Sequence, residues 1–159
     1  MARNGIPIQP QDERHYFILP QAPEDAGYYV YGTPPDGEGQ YAHPAMMTML
    51  LFVEREWAAV DRRRFGVGNI SLAGGPTYEK HNTHRDGLEV DIRPLRKDGR
   101  EEKVFWYQHD LYDHDGTAKL IALFHAYPGV RTILFNDTSI PFVHPFKDHD
   151  HHFHVHLRP

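Results

Sequence analysis

The residues best able to do chemistry in this chain are its 13 histidines, crowded into positions 81–84, 109–114 and 144–156. There is no cysteine, so disulfides and thiolate ligands are excluded, and any transition metal has to be held by His, Asp or Glu. Catalytic zinc usually takes three such ligands and leaves one position open for water. The segment Glu79-Lys-His81-Asn-Thr-His84-Arg-Asp-Gly87-Leu-Glu-Val-Asp91-Ile92 places His84 on a loop, Gly87 at a turn and Asp91 within a strand. A loop ligand and a strand ligand can thereby converge on one ion. The third ligand is expected from the run His152-Phe-His154-Val-His156. There, a histidine two residues away on the same strand face lies within reach of water at the metal and suits a general base.

Positioning these groups requires strands with one oily and one ligand-bearing side. Side chains i and i+2 share a face of a sheet. Leu88, Val90 and Ile92 therefore oppose Glu89, Asp91 and Arg93, and Phe153, Val155 and Leu157 oppose His152, His154 and His156. Strands are expected at 68–73, 88–93, 131–136 and 153–158, all short and β-branched or aromatic. Pro44 suits a first helical turn, and Met46, Met47, Leu50, Leu51, Val53, Trp57 and Val60 give helical spacing to about residue 61. A second helix starts near Asp115 or Thr117, carries Leu120, Ile121, Leu123 and Phe124, and stops at Pro128-Gly129. The expected fold is α+β: a small antiparallel sheet carrying the zinc site on one face, two main helices and long loops. A length of 159 residues with 40% hydrophobic and 25% charged content fits one domain, and the 13 Gly and 13 Pro fit many loops. Residues 1–40 read as a loop-rich N-terminal wrap with an edge strand, and 41–159 as the catalytic core.

Two patterns resemble the zinc peptidases that include lysostaphin, the D-Ala-D-Ala metallopeptidases and, most of all, penicillin-insensitive murein endopeptidase. The first, His-x-x-His-x-x-Gly-Leu-x-Val-Asp-Ile, is met by His81, His84, Gly87, Leu88, Val90, Asp91 and Ile92. The second, His-x-x-His-x-His-Val-x-Leu, is met by His149, His152, His154, Val155 and Leu157. Weaker matches at Tyr41-Ala-His43-Pro44, at 70–75 and at 133–136 extend the resemblance from about residue 40 to the end. It implies zinc bound by His84, Asp91 and His154, with His152 as base or transition-state stabiliser and His81 and His149 near the site. Position 156 departs from the family's usual Arg, so a second register, His154 as base and His156 as ligand, is also open. The implied reaction is hydrolysis of peptide cross-links in bacterial peptidoglycan, at D,D- or L,D-bonds. Zinc would acidify its bound water to a pKa of about 7, and His152 or His81 would protonate the leaving amine. With Asp91 as sole anionic ligand, the site is expected to keep net positive charge.

Simpler readings apply elsewhere. His43 before Pro44 reads as a cap or a support to the site, and His109, Asp110, Asp113, His114 and Asp115 as solvated loop and helix cap rather than a second metal or a phosphohydrolase site. An expression tag would be an uninterrupted histidine run, unlike the interleaved 152–156. Competing functions are a catalytically silent zinc-containing cell-wall binding domain and a non-haem iron oxygenase built on two His and one carboxylate. The formal charge of −5 disfavours nucleic acid, and no stretch approaches the ~18 apolar residues of a membrane span. No signal peptide is visible, so action in the periplasm or cell wall is expected to depend on phage lysis, a secretion system or a trimmed precursor. The partners expected are stem peptides and a delivery system or immunity protein, for a monomeric enzyme.

Overall fold

In the computed structural model, which describes residues 11–78, 81 and 83–159, the alternating segments around Asp91 and His154 form neighbouring strands. Residues 1–10 of the expected wrap, and 79, 80 and 82 of the first histidine motif, lie outside the described residues. In chain order the elements are β1 (Phe17–Ile18), β2 (Tyr28–Val30), β3 (Tyr41–Ala42), α1 (Pro44–Ala58), β4 (Phe65–Val67), β5 (Glu89–Arg93), α2 (His114–Ala126), β6 (Val130–Leu134) and β7 (Phe153–Leu157). The architecture is α+β, with a five-stranded sheet in the order β2-β4-β5-β7-β6 and a two-stranded β1-β3 pair.

Three neighbouring pairs of the large sheet are antiparallel, while β2 and β4 run parallel, which departs from an all-antiparallel expectation. The reason is the connection: α1 lies between β2 and β4, and a crossover of that length returns the chain in the same direction. The wrap thus donates an edge strand to the main sheet. One apolar core gathers residues from Leu19 to Leu157. Val90, Ile92, Phe153, Val155 and Leu157 point into it and are essentially inaccessible. Helices α1 and α2 cover that face with Met46, Met49, Leu50, Val53, Trp57, Leu120, Ile121 and Phe124. The Phe124 ring meets Phe65 and Phe153 edge-on, at 5.8 Å in each case. Burying each such side chain contributes roughly 1.5–3 kcal/mol.

Both helices are capped by side chains. His43 accepts from the Ala45 N–H at 3.0 Å with Pro44 opening α1, which gives His43 the cap role. Asp113 accepts from Gly116 N–H at 3.1 Å and caps α2. Helix α1 ends at Ala58, short of residue 61, because Trp57 carbonyl bonds to Val60 and Asp61 already close the last turn. Among the described residues no helix is long and apolar enough to cross a membrane.

The expected strand at 68–73 is replaced by β4 at Phe65–Val67, and the displacement has a local cause. Just past β4, Gly68 N–H donates to Asp91 carbonyl at 2.7 Å, while Asp91 N–H donates to Asn69 carbonyl at 3.1 Å. Two residues thus face one, the pattern of a β-bulge, which ends regular pairing and re-aims side chains. Beyond it, Ile70 N–H donates to Gly39 carbonyl and Ser71 carbonyl accepts from Tyr41 N–H, so the segment follows the wrap instead of the sheet. Gly68 is required at the bulge because a Cβ there would sit 2.6 Å from the Tyr31 ring.

Candidate metal centre

The second face of the sheet centre is polar and nevertheless buried. Asp91 lies opposite His154, and Glu89 opposite His156, in the β5–β7 register. Glu89, Asp91 and His154 are exposed by only 7%, 5% and 6%, so each carboxylate and imidazole there needs a partner. Loop residues supply some of them. Gly87, with φ of +73°, lets the chain turn into β5, and a Cβ at that position would strike the His43 backbone nitrogen at 2.6 Å. That turn sets His84 over the sheet. Arg14 of the wrap ties the neighbouring loops together by donating to the Leu72 carbonyl at 2.9 Å and to the Arg85 carbonyl.

Histidine nitrogens converge on one carboxylate. His84 Nε2 lies 3.3 Å from Asp91 Oδ1, His154 Nδ1 3.2 Å and His152 Nε2 3.7 Å from the same oxygen, and His81 Nδ1 is 3.9 Å from Oδ2. Donor atoms of His81, His84 and Asp91 all lie within 4.8 Å of one another, so this group could hold a metal ion, and it is the one such group among the described residues. His154 stands outside that mutually close set yet shares Asp91 Oδ1. The groups line a cavity of about 300 Å³ together with Thr83, Glu89, Leu134, Phe146, Lys147, Asp148 and His149. His149 reaches it with its ring 4.8 Å from His152, and its Nδ1 faces the Lys147 carbonyl at 2.8 Å. His156, the ligand of the alternative register, does not line the cavity.

Outer partners sort the ring nitrogens. His84 Nδ1 faces the Ile70 carbonyl at 3.1 Å, and a carbonyl only accepts, so Nδ1 carries a hydrogen and Nε2 is the atom turned toward Asp91. His154 Nε2 faces Glu89 Oε1 at 3.1 Å, which leaves Nδ1 as the inward atom. A nitrogen lone pair directed at a carboxylate oxygen at about van der Waals separation calls for a cation between them, either a proton or a metal.

The charge balance of the site's own residues agrees with this. Burial alone would push the Asp91 carboxyl up, but hydrogen bonds with His154 and His84 hold it well below the usual carboxylate range. Glu89 is likewise lowered, by His154 against the opposing effect of burial. Burial works against a charged His154, yet its hydrogen bonds to Asp91 and Glu89 lift it to about 9. His152 is pulled down to about 4, chiefly by burial, which the nearby Asp91 charge opposes but does not overcome, so it is neutral near pH 7. His81 is lowered by burial as well.

Alternation along β5 places Glu89 on the ligand-bearing side but assigns it no task. Its position two residues before Asp91 was the available signal, and the strand register reveals the partner. Glu89 also changes the charge balance, because Asp91 is not the only anion: a second carboxylate lies one hydrogen bond away through His154. Tyr31, whose buried hydroxyl has no partner among the described residues, was not foreseen either. Outside this centre, Asp113 is committed to its cap and to Arg63 Nη1 at 2.7 Å, and His114 to Asp115 and Ser139 at 3.1 and 3.0 Å. Neither a scan against protein-family models nor a search of curated proteins finds a match for this chain.

Proposed function

We propose that the protein is a zinc metallopeptidase that hydrolyses peptide cross-links of bacterial peptidoglycan. The observation that supports the reading is that His84 Nε2, His154 Nδ1 and a neutral His152 all face the same Asp91 oxygen and line one cavity with it. His84 and His154 turn inward nitrogens that would ligate once any proton there is displaced, Asp91 offers the anion, and three such ligands with an accessible side match a catalytic rather than a closed structural site. The donor types are nitrogen and carboxylate oxygen, which suit zinc. Zinc bound there would supply Lewis acidity, lowering the pKa of water to about 7 and polarising a carbonyl.

The chain's own residues do the rest. His152 Nε2, kept neutral by burial, accepts a proton from the attacking water and returns it to the leaving amine. Glu89 fixes the ring of His154 through Nε2. Phe146 and Lys147 line the cavity mouth, offering an apolar and a cationic contact to a peptide. The substrate class rests on the two motifs, His81-x-x-His84-x-x-Gly87-Leu-x-Val-Asp91-Ile and His149-x-x-His152-x-His154-Val-x-Leu, which resemble murein endopeptidase. The test separates an enzyme from a silent binding domain. The variant His152→Ala is expected to keep stoichiometric zinc and to lose release of new muropeptides from cross-linked peptidoglycan, read by mass spectrometry. Undiminished release by that variant would refute its role as base.

A further inference from the structure

We infer that Asn69 fixes His81 as an inward-pointing N–H donor, so that His81 neither ligates the metal nor supplies a lone pair to the site, but hydrogen-bonds the oxygen of a bound carbonyl. Its catalytic consequence rests on the metallopeptidase reading above; the tautomer itself does not.

Thr33 backbone N–H donates to Asn69 Oδ1 at 2.7 Å, and a backbone N–H can only donate. The amide is therefore oriented, and its NH₂ group is the one that faces His81 Nε2 at 2.8 Å. His81 Nε2 must accept. In the neutral ring the hydrogen then sits on Nδ1, the atom that faces Asp91 Oδ2 at 3.9 Å. This is the opposite polarity from His84 and His154, whose outer partners are acceptors, so that their inward nitrogens are the atoms free to give up a proton to a metal. Proximity alone groups His81 with His84 and Asp91 as donors within 4.8 Å. Hydrogen-bond polarity separates them.

Asn69 is well placed to enforce this. It is 9% exposed, and it sits on the bulge where its own carbonyl accepts the Asp91 N–H at 3.1 Å. One residue thus holds the backbone of the anionic ligand and the ring of the donor histidine. Turning the amide over to free a lone pair on His81 Nδ1 would set Nδ2 against the Thr33 N–H, leaving a buried donor facing a donor. The His81 side chain is 24% exposed and lines the cavity, so its N–H can reach a ligand there. A neutral N–H aimed where charge develops on a carbonyl oxygen is the arrangement that stabilises an oxyanion.

The test reads ring nitrogens by NMR in ¹⁵N-histidine-labelled protein, metal-free and loaded with zinc, with His81 signals assigned by their loss in His81→Gln. The expected result is a protonated Nδ1 and an unprotonated Nε2 in both states. Asn69→Asp, which can only accept, is expected to move the hydrogen to Nε2 and to lower kcat about 10- to 100-fold with zinc content and KM retained. A wild-type His81 protonated at Nε2, or a His81 Nδ1 that takes a metal-bound shift on zinc addition, would overturn the proposal. The wild-type spectra decide it even if Asn69→Asp does not fold. Absence of peptidoglycan cleavage with the expected spectra would instead count against the substrate reading.

Discussion

Two clusters of histidine and carboxylate among the described residues have opposite character. At the N-terminus of α2, Asp137 accepts from the Tyr112 hydroxyl at 2.6 Å and from the Ser139 hydroxyl at 2.5 Å, while Asp113 caps the helix and pairs with Arg63. Every buried acceptor there already has a hydrogen. On β5 and β7, by contrast, the carboxylate Asp91 faces several ring nitrogens, two of which are held by outer acceptors with their second nitrogen turned inward. The same residue types are saturated in one region and left wanting a cation in the other. What distinguishes a metal centre from a polar core cluster is therefore the polarity of the outer hydrogen bonds, not the number of histidines.

Perturbing each region should bring out the contrast. Asp91→Ala carries the largest expected effect: zinc affinity falls by more than about a hundredfold, beyond the 10- to 100-fold typical of an outer partner. Competition titration with a chromophoric chelator measures it, and unchanged affinity would remove Asp91 from the ligand set. Glu89→Gln keeps the size of the side chain but weakens its hold on His154, with an expected loss of about 10- to 100-fold in the same assay. Substituting the α2 cluster should leave zinc binding untouched.

pH provides a third handle. Hydrogen bonds to Asp91 and Glu89 lift His154 from its ordinary 6.5 to about 9, so zinc ligated by this ring would have to displace a proton from it below pH 9. Apparent zinc affinity is expected to rise with pH and level off above about 9, with proton release seen by calorimetry in buffers of different ionisation enthalpy. The same shift sets the stability of the metal-free protein. Because the folded pKa is raised, the contribution is fully present below pH 6.5 and is lost as pH rises through about 9. Thermal melts in chelator across that window check it; a stability that climbs through pH 9 would contradict it. The smallest effect belongs to the saturated cluster, where Asp113→Ala should cost about 1 kcal/mol of stability through its lost cap, measured by denaturant titration, with no change in zinc affinity.

Much of this was legible because the sheet centre advertises its period. The alternation at 88–92 and 153–157 separates oily from polar faces, so the α+β class, both central strands and the neighbourhood of His84, Asp91, His152 and His154 could be read without coordinates. Pro44 and the apolar spacing after it placed α1 in the same way. What could not be read depends on partners distant in sequence. The Gly68-Asn69 bulge looks like the start of a strand, and its true role follows from Asp91 sitting across from both residues. Glu89 acquires a purpose when β7 pairs with β5 and brings His154 to it. His81 looks like one more ligand until Thr33 and Asn69 fix which of its nitrogens faces inward. The parallel β2–β4 pair depends on where α1 carries the chain, which no local pattern encodes.

The central claim is most directly tested by incubating purified cross-linked peptidoglycan with the protein as isolated, after chelation, and after chelation followed by zinc, and analysing soluble products by mass spectrometry. New muropeptides whose masses correspond to hydrolysed cross-links are expected, disappearing on chelation and returning with zinc. No new fragments from the zinc-loaded protein, or fragments unaffected by removing the metal, would contradict it.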